Sequence, residues 1–148
     1  MASLASNKKA HFNYEILERY EAGIELLGHE VKAVKKGQVS LDGTHVTVRG
    51  QEAYLIGATI SPYQPNNMPK DYEPTRNRRL LLNKKELEYL GENEAKKGLT
   101  IVPLSMYNKG SKIKVEIALV RGKKEFDKRE SIKKRDTKRE IDRTLKNQ

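Results

Sequence analysis

At 148 residues the chain is long enough for one domain with a real core and too short for two. Its formal charge of +10 is uneven, because residues 121–148 carry 12 Lys/Arg against 6 Asp/Glu, and this points to an anionic partner, with nucleic acid ahead of a membrane surface. The absence of cysteine excludes disulfides and thiolate metal sites. No apolar run approaches transmembrane length, and Met1–Asn7 has neither the basic start nor the apolar centre of a signal peptide, so a soluble, cytoplasmic protein is expected.

Residues 1–6 read as a flexible leader, with the ordered part opening at Asn7-Lys8-Lys9. From His11 to Glu18, Phe12, Tyr14, Ile16 and Leu17 nearly alternate with polar residues, which favours a strand, although the propensity over Glu15–Glu21 also suits a helix. Gly23 and Gly28 bracket a short apolar run at Ile24, Leu26 and Leu27. Beyond it, Val31 and Val34 share one face of a short helix whose other side carries Lys32, Lys35 and Lys36, and Gly37 stands at its stop position. Val46 and Val48 alternate in a strand, Gly50-Gln51 fits a two-residue hairpin turn with glycine first, and Ala53–Ile60 returns.

Residues Pro62–Arg79 read as a long exposed loop ending in the basic run Arg76, Arg78 and Arg79. Leu80–Leu82 re-enters the core. Asn83 with Glu86 three residues on forms a capping-box pattern for a helix from Lys84 to about Lys96, stopped by Gly98 and open to a bend at Gly91. Leu99–Tyr107 predicts a covered strand whose Pro103 demands an edge or a bulge. After a loop over 108–111, Ile113, Val115, Ile117 and Leu119 mark the clearest strand in the chain.

The expected class is mainly β: five or six antiparallel strands with two or three flanking helices, in a small closed or partly closed barrel over residues 7–120. Residues 121–148 form a basic tail with few large apolar side chains. The pairs Glu130–Lys134 and Asp142–Lys146 favour helix but are too weak to hold one alone, so a tail disordered when free and helical against an anionic surface is expected.

No catalytic constellation is visible. His11, His29 and His45 lack ligand spacing, and there is no glycine-rich phosphate loop and no nucleophile elbow, so neither a metal nor a cofactor is expected. Spacing alone leaves open a metal-dependent nuclease built from scattered carboxylates. Positive charge interleaved with ring faces is abundant: Lys8 and Lys9, Lys32 with Lys35 and Lys36, the arginines at 76–79, and Lys109, Lys112 and Lys114 accompany Phe12, Tyr14, Tyr20 and Tyr107. That combination neutralises phosphates and stacks bases.

The segments Asn7-Lys8-Lys9-Ala10, Tyr20-Glu21-Ala22-Gly23-Ile24, Gly28-His29-Glu30-Val31-Lys32, Glu73-Pro74-Thr75-Arg76, Arg79-Leu80-Leu81-Leu82-Asn83, Val102-Pro103-Leu104 and Gly122-Lys123-Lys124-Glu125-Phe126-Asp127-Lys128-Arg129 occur in one order. Together they resemble the small protein B family, SmpB, which binds transfer-messenger RNA (tmRNA, SsrA). The resemblance implies an oligonucleotide-binding-type barrel that holds the tRNA-like domain of that RNA and is not an enzyme. It implies a tail that enters the empty mRNA channel of a stalled 70S ribosome and is sensed by the decoding centre, so that trans-translation can begin. Elongation factor Tu would be an indirect partner, through the aminoacylated RNA. By position, the RNA-contact residues it implies are Asn7, Lys8, Lys9, Glu21, Lys32, Arg79, Leu81, Asn83 and Lys114. The ribosome-reading residues are Phe126, Asp127, Lys128 and Arg129, with Phe126 standing where relatives carry His or Tyr. A ribosomal or single-strand RNA-binding barrel with no dedicated RNA is the competing reading.

Overall fold

The computed structural model describes residues 3–64 and 71–122. Along the chain these form β1 (Ser3–Ser6), α1 (Lys8–Asn13), β2 (Tyr14–Ile24), α2 (Gly28–Lys35), β3 (Val39–Ser40), β4 (His45–Arg49), β5 (Glu52–Ile56), β6 (Thr59–Ile60), β7 (Arg78–Leu81), α3 (Lys84–Glu94), β8 (Leu99–Lys109) and β9 (Lys112–Gly122).

Six strands form an antiparallel ring in the order β8–β4–β5–β7–β2–β9, with β9 pairing back onto β8. The ring is tight where the strands are long, along β2–β9 and β8–β9. It is loose at two seams: β4 meets β8 through the single pair Val46–Ile101, and β2 meets β7 through Gly23–Leu81 and Ile24–Leu80. The fold is therefore the expected small antiparallel β-architecture with three helices, as a ring of strands rather than a fully closed barrel. β1 adds to the outer edge of β8, and β3 pairs separately with β6.

Alternation decides which residues enter the ring. Ile113, Val115, Ile117 and Leu119 of β9 face inward with Ala22, Val46, Leu55, Leu80, Ile101 and Met106, and Ala33 and Val34 of α2 and Leu90 of α3 close the ends. The opposite parity of β9 places Ala118 and Val120 on the outer face, where Ala10 of α1 covers them together with Val102 and Leu104. The outer face of β2, β9 and β8 is thus half covered by α1 and half open.

Several turns follow the sequence reading. The β4–β5 hairpin uses Gly50-Gln51, with Gly50 at φ 63° as a turn that opens on a positive φ requires. At the end of α2, the Gly37 N–H donates to the Val34 carbonyl and the Gln38 N–H to the Ala33 carbonyl, both at 2.9 Å, with Gly37 at φ 79°; this is a Schellman stop. Asn83 caps α3 by accepting from the Glu86 N–H at 2.8 Å, and the Glu86 carboxylate accepts the Asn83 N–H in return. Pro103 sits where the β8–β9 register shifts.

Elsewhere the structure departs from the sequence reading. The leader expected over 1–6 includes an edge strand, since Leu4 and Ala5 pack against the core. The strand expected from His11 begins only at Tyr14, because burial of Ala10 on β8 and β9 outweighs the local alternation and winds 8–13 into a helix. The strand over Ala53–Ile60 divides at Gly57, which takes φ 87°. Gly91 lies within α3 and faces Val48, where a Cβ would stand 3.4 Å away, about van der Waals contact. The segment read as an exposed loop up to Arg79 runs into β7, and its Arg78 is fully buried against Glu30. Its residues 65–70 lie outside the described residues, as does the tail from Lys123 onward, with Phe126, Asp127, Lys128 and Arg129.

Candidate nucleic-acid interface

One cross-strand row organises the open part of the outer face. Leu81 of β7 pairs with Gly23 of β2, Gly23 with Lys114 of β9, and Lys114 with Tyr107 of β8. Because the side-chain period along a strand is two, this register puts all four on the same side of the sheet. Gly23 has no side chain, so Leu81 leans over it; a Cβ at position 23 would stand 3.2 Å from the Leu81 Cβ. Leu81 remains 46% exposed. Beside it runs a groove of about 290 Å³ whose walls include Val31, Leu81, Lys112 and Lys114.

Glu21, two residues before Gly23, joins this row. Its carboxylate accepts the Tyr107 hydroxyl at 2.6 Å and the Lys109 ammonium at 2.9 Å, each on a different oxygen. These hydrogen bonds, Tyr107 first, hold the carboxyl below its ordinary value, with Lys109 and Lys114 adding attraction. Burial, and then the bond to Glu21, raise Tyr107. The result is a fixed anion inside a basic surround, able to accept from base amines or ribose hydroxyls.

The other candidates gather around this row to differing degrees. Lys8 and Lys9 are exposed on α1, which sits on the outer face of β9 that also carries Lys114. Lys32 is exposed on α2 next to Val31, which lines the groove, and its own ammonium is held 5.9 Å from the centre of the Tyr63 ring, which does not line it. Arg79 is exposed beside Leu81 but shared between Glu25 at 3.1 Å and Glu52 at 3.7 Å. A second groove of about 280 Å³ runs past Arg79, Leu81 and Asn83, and the Asn83 side chain is engaged as the α3 cap. Asn7 is not at the surface: it is 5% exposed and donates its side-chain amide to the Pro103 carbonyl at 2.9 Å, tying the start of α1 to β8. Among the rings, Tyr14 packs against the outer cluster and Tyr20 against the core.

Sequence reasoning missed a buried ionic cluster behind this face. Glu30, fully buried on α2, accepts from the Leu27 N–H at 2.8 Å, the Tyr72 hydroxyl at 3.0 Å, Arg76 Nε at 3.1 Å, and Arg78 Nε and Nη2 at 2.9 and 2.6 Å. Arg78, also fully buried, donates further to the carbonyls of Ala58 and Pro74 at 2.8 and 2.9 Å. Burial alone would raise the Glu30 carboxyl. The hydrogen bonds from Arg76, the Leu27 amide and Arg78 outweigh it and hold the group at about 2. Two of the three arginines assigned to a basic surface are thus committed to Glu30. The available signal was the spacing Arg76-x-Arg78 directly before an apolar strand, which puts both arginines on one side of the chain.

The family model described as "SmpB protein" matches residues 4–147. The chain belongs to the SmpB family. It is 50% identical over 143 residues to the SsrA-binding protein of Elusimicrobium minutum (strain Pei191), covering 97% of this chain and 90% of that one. With the SsrA-binding protein of Trichodesmium erythraeum (strain IMS101) it shares 48% identity, covering 97% and 92%. Among solved structures it is similar to a chain from "tmRNA-SmpB: a journey to the center of the bacterial ribosome", at 41% identity and a TM-score of 0.67 over 86% of this chain and 92% of that one. Of the segments carrying the SmpB resemblance, those at 20–24 and 79–83 build the open row, and those at 7–10 and 102–104 meet where α1 docks. The segments at 28–32 and 73–76 meet at Glu30.

Proposed function

We propose that this chain binds the tRNA-like domain of transfer-messenger RNA and carries it to stalled bacterial ribosomes for trans-translation, acting in the cytoplasm by binding and not by catalysis. The observation that carries this reading is the row Leu81–Gly23–Lys114–Tyr107 with Glu21 anchored beside it, on a chain whose SmpB match runs almost from end to end. Lysines at 8, 9, 32 and 114 neutralise phosphates, Arg79 and Asn83 flank the same face, and Leu81 shapes it. Asn7 contributes by holding α1 in place. The domain over 7–120 holds the RNA. The tail over 121–148 occupies the empty mRNA channel as a helix, where Phe126, Asp127, Lys128 and Arg129 are read by the small-subunit decoding centre. Elongation factor Tu is reached only through the aminoacylated RNA.

The test is salt-controlled binding of the full-length protein to the tRNA-like RNA with ordinary tRNA as competitor, alongside a reconstituted rescue assay. Selective binding is expected. Replacing Asp127, Lys128 and Arg129 together by alanine is expected to leave that binding intact and abolish rescue. Equal affinity for unrelated RNAs of the same length would establish the generic RNA-binding barrel instead, and loss of RNA binding in the tail variant would refute the division of labour.

A further inference from the structure

We infer that Tyr107 and Lys109 are positioning residues for RNA recognition, acting through Glu21 by fixing its carboxylate as an oriented acceptor rather than by touching RNA themselves. This rests on the RNA-binding reading and goes beyond it by assigning the Tyr107 ring a role other than base stacking.

The geometry carries the argument. Glu21 lies on β2 and its two donors lie on β8, with β9 between them, so the bonds at 2.6 and 2.9 Å reach across the width of the intervening strand. Each carboxylate oxygen receives one of these donors, which leaves a lone pair on each for an external donor. The Glu21 side chain stays 37% exposed, so those lone pairs are reachable. An unanchored glutamate on an open sheet face would sample several rotamers and lose that freedom on binding; one clamped from two sides is preorganised.

The surrounding charges leave this role to Tyr107 and Lys109. On β9, Glu116 pairs opposite Glu21 but is taken by Arg19 of β2 at 3.1 Å, and Lys114 stands beside the carboxylate without a hydrogen bond to it. On β7, Leu81 is uncharged and Arg79 is engaged by Glu25 and Glu52.

The test is a double-mutant cycle on RNA affinity with Tyr107→Phe and Glu21→Ala in the full-length protein, with unfolding midpoints for each variant. Tyr107→Phe is expected to weaken binding about 5- to 10-fold in the wild-type background, the order of one missing charge-assisted hydrogen bond, and to have no effect once Glu21 is alanine. Lys109→Gln, which leaves the ring untouched, is expected to show the same coupling. On acidification, affinity of Tyr107→Phe is expected to fall at a higher pH than that of wild type, because the Glu21 carboxyl then lacks the Tyr107 bond that lowers it most from its ordinary value. An equal loss from Tyr107→Phe in both backgrounds would make Tyr107 an independent determinant and overturn the inference, as would no loss in either. Selectivity over ordinary tRNA is read separately. Its absence in wild type would overturn the choice of RNA partner and leave the cycle interpretable on whatever RNA is bound.

Discussion

Replacing Glu30 by glutamine keeps the side-chain volume and removes the charge on which the buried arginine depends. Arg78 has no exposure, and its guanidinium would keep its bonds to the Ala58 and Pro74 carbonyls while losing its counter-charge. Breaking a buried pair by neutralising one partner costs about 3–5 kcal/mol, because the other charge stays desolvated. The same contacts lower the Glu30 carboxyl from 4.5 to about 2, which at roughly 1.4 kcal/mol per pH unit is of the same order, about 3 kcal/mol. Since the folded-state value lies below the ordinary one, that contribution is fully present above about pH 4.5 and is lost as the pH falls toward about 2. Urea unfolding at pH 7 should therefore show Glu30→Gln about 3 kcal/mol less stable, a midpoint lower by about 1–3 M for typical slopes. Between pH 5 and pH 2 wild type should lose stability more steeply than the variant, which has no carboxyl to protonate there. A variant within about 1 kcal/mol of wild type at pH 7, with the same acid slope, would refute the assignment of this cluster as the anchor of α2.

Reversing charge at Lys8 and Lys9 together should weaken RNA binding and reduce the salt slope of log K by about one for each phosphate no longer neutralised, measured as affinity against salt concentration. Asn83→Ala should cost about 1 kcal/mol through loss of the α3 cap, seen as a lower thermal or urea midpoint; an unchanged midpoint would show the capping box to be dispensable. Gly23→Ala should press on Leu81, whose side chain can yield by a few tenths of an ångström. RNA affinity is expected to drop several-fold while stability changes by less than about 1 kcal/mol, and unchanged affinity would argue against Leu81 shaping the face.

The parts of this fold that were legible in the sequence are those whose signal is local. Gly37, Gly50 and Gly98 each sit at the positive φ that a stop or turn requires, Asn83 and Glu86 cap each other as spaced, and the alternation at 113–119 is the inward face of β9. What misled were residues whose neighbours come from far along the chain. Phe12 and Tyr14 alternate as a strand would, yet residues 8–13 wind into a helix because Ala10 can bury against Ala118 and Val120, more than a hundred residues away. Arg76 and Arg78 look like part of a basic loop, and only the fold brings Glu30 beneath them. Glu21, Leu81 and Lys114 were identified as candidates by resemblance. That they share one face follows from register across β7, β2 and β9, which no single segment encodes.

The buried cluster and the open face are two sides of the same strand. On β7, Arg78 and Leu80 point inward, to Glu30 and to the core, while Arg79 and Leu81 point outward to the face. On α2, Glu30 is held beneath the surface and Lys32, two residues on, projects from it. Glu30 therefore fixes α2 against β7, and with them the spacing between Lys32, Arg79 and Leu81. An apolar pairing would bury the same side chains with less directional constraint, whereas six donors converging on one carboxylate admit little sliding or rotation. The seam between β2 and β7 has only two residue pairs to set it, so the ionic cluster supplies orientation where the sheet itself supplies least.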